Sequence, residues 1–242
     1  MKSNKRFYRT STLLTCLFLA ALLQASSLLA FTHVNWSADM YQLVSSEYGR
    51  DVERRMRQWH DLIDKNGHES WYQDLKAVND FFNQVRWTSD SLHWGKKEYW
   101  QTPLETLIDF SGDCEDIAIA KYTTLRIMGY TESQLNLVYS LVGKTPHMVL
   151  AFNKDGHTHP YVLDSLNKRL LTSEKRSDLT TVFEFNNDAV WLTDKHFKKY
   201  KRARPKHLAL LDELKVRLDN NRHLLRSHNN GQPIVPFASH ML

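Results

Sequence analysis

The sequence predicts an α+β domain, with helices in its first half, strands in its second, and a buried central helix packed on an antiparallel sheet. Three observations carry that expectation. Val44, Tyr48, Val52, Met56, Trp59 and Ile63 recur at three-to-four spacing with Arg and Gln between them, the period of an amphipathic helix. Ile117, Tyr122, Leu125 and Met128 repeat the pattern after Gly112. From Leu135 onward, apolar β-leaning runs are separated by turn signals, of which Asp155-Gly156 is the strongest.

The elements follow in chain order. Lys2, Lys5, Arg6 and Arg9 precede a charge-free apolar run from Leu13 to Leu29, with small residues Ala25, Ser27 and Ala30 at its end. Residues 1–30 therefore read as a secretory signal peptide, the alternative being an uncleaved N-terminal anchor. Membrane contact is expected only in the anchored case. A helical N-terminal lobe is expected over 31–100, its first helix ending near Gly67 and its second running through Trp71, Leu75, Val78, Phe82 and Val85. An aromatic loop with Trp87, Trp94, Tyr99 and Trp100 follows. An α+β lobe is expected over 101–226: a helix from about Asp113 closed by Gly129, strands over 135–142, 146–153 and 158–165, a short strand near 182–185 and a last helix through Leu208–Leu225. Residues 227–242 are polar, carry Gly and Pro, and read as a loose tail.

Composition narrows the functional classes. At 242 residues, 42% hydrophobic and with seven Trp, the chain can bury a core and is not of disordered composition. The formal charge is +5, but four of the positive charges lie in residues 1–30, so the remainder carries about +1. That balance gives no footing for nucleic-acid binding. The two cysteines are Cys16 and Cys114. Removal of the signal leaves Cys114 alone in an oxidising compartment, where a single thiol is either inert packing or kept for chemistry.

The hairpin is the informative step. With Asp155-Gly156 as a two-residue turn, Lys154 faces His157 and His147 falls opposite Asp164, on one face of the sheet. On that register His147–Asp164 is a non-hydrogen-bonded pair, the closer kind, and so is Ala151–Pro160, where proline costs the ladder no donor. Cys114 sits in the first helical turn, where the macrodipole and free N–H groups favour thiolate. A nearby imidazole, held in one tautomer by a carboxylate, completes the logic of a Cys–His–Asp triad.

Asp113, Glu115 and Asp116 flank the thiol and oppose its ionisation. A bound cation would remove that penalty, and clustered carboxylates suit Ca²⁺. Each feature also has a plainer explanation: a buried small side chain for Cys114, a structural role for His147, a turn cap for Asp164 and a solvated helix start for the acids. The helix-start cysteine and the paired His and Asp are independent features, and together they point to a protease or an acyltransferase.

These residues carry a resemblance. Gly112-Asp113-Cys114-Glu115-Asp116 and the following Ala118-Ile119-Ala120-Lys121-Tyr122 are similar to the signature of the bacterial transglutaminase-like cysteine proteinases of the LapG type. The runs Asn79–Asn83, His93-Trp94-Gly95, Tyr99–Glu105, His147-Met148-Val149-Leu150 and Val162–Leu166 fit the same pattern, so the likeness covers about residues 35–200. It implies a papain-like transglutaminase core, catalytic residues Cys114, His147 and Asp164, and a calcium site using Asp113, Glu115 and Asp116. It also implies a periplasmic endopeptidase that cuts a large repeat adhesin near its N-terminus, often between two alanines, and so releases cells from biofilm. An inner-membrane cyclic-di-GMP receptor would capture it and block cutting. An apolar patch near Trp94 or Trp100 is the expected docking point. The competing functions are transglutaminase-type acyl transfer on the same triad and a non-catalytic calcium-binding module.

Overall fold

The computed structural model describes residues 38–65, 70–186, 189–194 and 197–203, with 213, 214, 216 and 217. The expected signal segment, the end of the first helix at Gly67, most of the last helix and the tail lie outside these residues. No helix among them is long and apolar enough to cross a membrane.

The expected first helix is two. Helix α1 (Ala38–Tyr48) and α2 (Arg50–Lys65) are broken at Gly49, whose φ of +90° lets it end one helix and open the next. Most of the expected stripe survives the break: Val44 is buried on α1, and Val52, Met56, Trp59 and Ile63 on α2, but Tyr48, at the end of α1, is 54% exposed. Helix α3 (Trp71–Phe82) is capped by Ser70 and stops short of Val85, because Arg86–Trp87 leaves as a two-residue strand, β1. Helix α4 (Asp90–His93) lies within the aromatic segment, and α5 (Pro103–Asp109) begins with a capping box between Thr102 and Glu105 and proline at its first turn.

Strand β2 (Ser111–Gly112) pairs in parallel with β1, Trp87 opposite Gly112, and so fixes the chain immediately before α6 (Cys114–Ile127). Helix α6 is buried from Asp116 through Leu125 on every side, as a central helix must be. It lies against α3, α5 and the sheet strands β3 and β4. The Trp59 indole N–H donates to Thr124 Oγ1 at 2.9 Å, joining α2 to it.

The seven-stranded sheet is antiparallel throughout, ordered β6-β5-β4-β3-β7-β8-β9. Its strands are β3 (Leu135–Val142), β4 (Thr145–Phe152), β5 (Tyr161–Leu163), β6 (Leu171–Thr172), β7 (Leu179–Phe185), β8 (Val190–Thr193) and β9 (Lys199–Ala203). The tight hairpin joins β3 to β4 through Gly143-Lys144, with φ of +64° at Gly143. Positive φ at the first loop position alone is the geometry of a type II′ turn.

Asp155-Gly156 also turns, with the His157 N–H bonded to Lys154 O at 2.9 Å, but only Gly156 has positive φ. A turn of that kind splays its strands instead of continuing their ladder. The β4–β5 ladder therefore begins further out, at Phe152↔Tyr161, and its register is displaced by two residues: Ala151 faces Val162, not Pro160.

Strands β8 and β9 and the first residues of β7 are additions to the short strand expected near 182–185. Strand β9, Lys-Tyr-Lys-Arg-Ala, ends the sheet among the described residues and needs no alternation of apolar side chains. Of the last expected helix, Glu213, Leu214, Val216 and Arg217 are helical, with Leu214 buried. Arg217 stands over the Tyr99 ring at 4.0 Å.

Candidate active site

The displaced register keeps the expected pair together. A shift of two residues preserves the face of each side chain, so His147 on β4 and Asp164, just past β5, meet along the diagonal of the sheet instead of directly across it. His147 Nε2 lies 2.6 Å from Asp164 Oδ1, and the two residues are 4% and 1% exposed. An ionised carboxylate only accepts, so Nε2 carries a hydrogen in this contact and Nδ1 is the ring nitrogen turned away from Asp164. Ser140 Oγ donates to His147 O at 2.9 Å, holding the backbone from β3.

Asp164 has further partners that the sequence did not disclose. The Leu166 N–H donates to Oδ1 at 2.9 Å and Arg176 Nη2 to Oδ2 at 2.6 Å. Burial pushes the Asp164 carboxyl up, but His147, the Leu166 N–H and Arg176 outweigh it and hold the group down at about 2. Arg176 comes from the polar run Ser173–Asp178, where no periodicity or motif singles it out.

Cys114 opens α6 and is partly exposed. The Met148 N–H, next in sequence to His147, favours the thiolate form of its sulfur. The helix that Cys114 opens packs on β4, the strand that carries His147, and of the three expected residues His147 and Asp164 are in direct contact. The thiol itself donates to Glu115 Oε2 at 3.0 Å. Burial and then Glu115 push the thiol well up, against the opposing Met148 N–H.

The acids around the thiol differ in their contacts. Asp116 is fully buried; its Oδ1 accepts the Gln101 N–H at 2.7 Å and its Oδ2 the Asp113 N–H at 3.1 Å. It fastens the helix start to the loop before α5. Asp113, with Cys114 and Glu115, brings ligand atoms within 4.8 Å of one another; so do Asp90, Asp113 and Asp116, and Asp90, Glu98 and Glu115. Asp90 and Glu98 are additions to the expected set; they lie within the aromatic segment, far from the GDCED run in sequence.

Burial, then Glu115 and Asp116, push Asp113 up to about 10. Asp116 and Asp90 are raised by burial first, as is Glu98, with Glu115 adding to each. Asp113 Oδ1 is buried without a hydrogen-bond partner among the described residues. A crowd of hard oxygens held against their own repulsion, one of them orphaned, fits a divalent cation of the calcium type.

The aromatic segment packs mainly inward. Trp100 is buried and stacks on Phe185 at 5.8 Å, so of the two tryptophans expected at a docking patch only Trp94 reaches the surface in part. Trp94 lies between His93 and Tyr99, each at 4.5 Å. Trp87, by contrast, is 63% exposed.

Comparison with known proteins points to one family. The family described as "Bacterial transglutaminase-like cysteine proteinase BTLCP" matches residues 45–192. Among solved structures, Legionella pneumophila LapG is similar at 33% identity over 75% of this chain and 97% of that one, with a TM-score of 0.63. Its EGTA-treated form gives 33% identity, the same coverages and a TM-score of 0.64. Its calcium-bound form gives 33%, 75% of this chain, 98% of that one, and 0.63. No curated protein matches the chain.

Proposed function

The chain belongs to the bacterial transglutaminase-like cysteine proteinases, and from that premise we propose that it is a calcium-dependent endopeptidase acting through Cys114, His147 and Asp164. The observation that carries this reading is the 2.6 Å His147–Asp164 bond, with His147 on a strand that packs against the buried helix opened by Cys114. Cys114 Sγ attacks the peptide carbonyl. His147 Nδ1 accepts the thiol proton and returns it to the departing amine, leaving a thioester that water then hydrolyses. Asp164 keeps Nε2 protonated, so that Nδ1 is the basic nitrogen. The first N–H groups of α6 offer hydrogen bonds to the carbonyl oxygen as it gains charge.

Calcium enters this reading through the acid cluster, and the calcium-bound and EGTA-treated forms of the similar Legionella protein support it. Asp113 and Glu115, with Asp90 and Glu98, would hold the ion, and Asp116 would brace them from behind. Bound there, it supplies positive charge that offsets the carboxylates' opposition to a thiolate.

The substrate proposed is a large surface adhesin, cut near its N-terminus between small residues, with residues 1–30 directing the enzyme to the periplasm. An inner-membrane cyclic-di-GMP receptor is the proposed inhibitory partner, so that cutting governs biofilm release. The family resemblance supports these assignments. The test is incubation of the signal-free protein with an adhesin N-terminal fragment in calcium and in EGTA. One new N-terminus is expected in calcium, with none from Cys114→Ala or in EGTA. Undiminished cleavage by Cys114→Ala would overturn the reading, and incorporation of a labelled amine in place of cleavage would favour acyl transfer.

A further inference from the structure

Arg176 takes no part in the proton transfers above, yet it is among the largest fully buried side chains described, at 2% exposure. It closes the short turn Ser173–Lys175 between β6 and β7, with its own N–H bonded to Ser173 O and its carbonyl accepting the Leu179 N–H, both at 3.0 Å. Its guanidinium is anchored on one side by Asp178, Nε to Oδ1 at 2.9 Å and Nη2 to Oδ2 at 2.8 Å. On the other side Nη2 reaches Asp164 Oδ2 at 2.6 Å. Asp178 is half-exposed while Asp164 is buried, so the arginine ties an outer carboxylate to an inner one.

We infer that Arg176 is a positioning residue for the reaction, a rigid fork that fixes the rotation of the Asp164 carboxylate so that Oδ1 stays on His147 Nε2. This rests on the assignment of Asp164 to the triad. The geometry favours it over simple charge neutralisation. The two Asp164 oxygens serve different partners, since Oδ1 receives His147 and the Leu166 N–H while Oδ2 receives Arg176. Without the Oδ2 bond the carboxylate can turn about its own axis, and the imidazole loses the plane that aims Nδ1. The planar guanidinium is suited to this, since its donors are fixed relative to one another. The charged groups facing Asp164 are His147 from β4, Arg176 and, beyond it, Asp178 from the β6–β7 connection, and Lys121 from α6. Arg176 is the one of them that holds Oδ2, and it favours the ionised carboxylate as well as orienting it.

The test uses the calcium-loaded full chain and alkylation of Cys114 by iodoacetamide, followed from pH 5 to 9. Arg176→Met should lower the rate about tenfold at pH 8 through lost orientation, the low end of what losing an outer partner costs at metal-ligating histidines. The loss should be larger at pH 5, where Asp164 protonates more readily without its cation. Arg176→Lys should recover most of the acid-side loss and less of the loss at pH 8, because charge is restored but the fork is not. A purely structural role would scale the rate by one factor at every pH, in proportion to folded protein. If Arg176→Met does not fold, Asp178→Asn decides: it removes only the outer anchor and should shift the profile in the same direction by a smaller amount. Folded Arg176→Met or Asp178→Asn with the wild-type profile, while Asp164→Asn departs from it, overturns the inference alone. A wild-type profile from Asp164→Asn overturns the triad assignment beneath it.

Discussion

Gly112 lies directly beneath the carboxylate of Asp116: a Cβ added to the glycine would meet Oδ2 at 2.6 Å and the Asp116 Cβ at 2.9 Å. The contact needs no special backbone angle and depends on space alone. Gly112→Ala must push Asp116 away from the Gln101 and Asp113 N–H groups that it satisfies. Buried donors stripped of their acceptor cost about 1–3 kcal/mol each. The expected result is a melting temperature lower by several degrees and a strong loss of cleavage, read by calorimetry and a peptide assay. A variant as stable and active as wild type would show that the helix start tolerates the displacement.

Asp113, Glu115 and Asp116 should separate on metal removal. Wild type should gain stability from calcium and lose it to EGTA, by about 3 kcal/mol at a hundredfold excess over the dissociation constant. Asp113→Asn and Glu115→Gln should fold and lose most of that calcium-dependent shift. Asp116→Asn should be destabilised with and without calcium, since its amide presents an N–H to one of two backbone donors. Thermal melts in both media check this. Equal behaviour of the three variants would contradict the division of roles.

Asp164→Asn should lower turnover by about three to four orders of magnitude, as loss of tautomer control does in other triads. Far-UV circular dichroism should stay that of wild type. A loss under tenfold would mean that His147 finds its orientation without the carboxylate.

Acid stability follows from the same carboxylate. Its folded pKa, about 2, lies below the ordinary value near 3.9, so it contributes stability above pH 4 that disappears as pH falls toward 2. The amount is about 2 kcal/mol. Urea unfolding from pH 5 to 2 should steepen accordingly in wild type and flatten in Asp164→Asn.

Lys121 gives the opposite window. It is buried on α6, bonded to Asn79 Oδ1 at 2.9 Å and Asn83 Oδ1 at 2.7 Å, and burial pulls it down to about 7 despite the nearby Asp164 and Asp80. The unfolded chain then holds more protons than the folded one between pH 7 and about 10, so this group makes stability rise with pH across that range. Lys121→Met should remove the slope. An unchanged slope in urea melts at pH 7, 8.5 and 10 would place its origin elsewhere.

The elements legible in the sequence were those whose signal is local. Helix periods, the cysteine at a helix start and the β3 boundaries depend on residues within one or two turns of each other. The His147–Asp164 pairing was legible in its face but not in its register, because Asp155 does not adopt the positive φ that a continued ladder would require. Sheet parity tolerates that error, since a displacement by two returns each side chain to its own face. Gly49 read as part of a helix because the apolar stripe runs through it. Arg176, Asp90 and Glu98 stayed hidden because each joins the site through tertiary contacts, which leave no periodicity or motif in the chain.

Strand β9 carries Lys199, Lys201 and Arg202 where the sheet stops among the described residues. A second molecule attempting to stack its own β9 there would bring basic side chains together, Lys199 being held by Glu184 at 2.7 Å, and basic edge residues disfavour growth from that side. An unfolded polypeptide is equally discouraged from zipping onto the rim unless it brings acidic side chains.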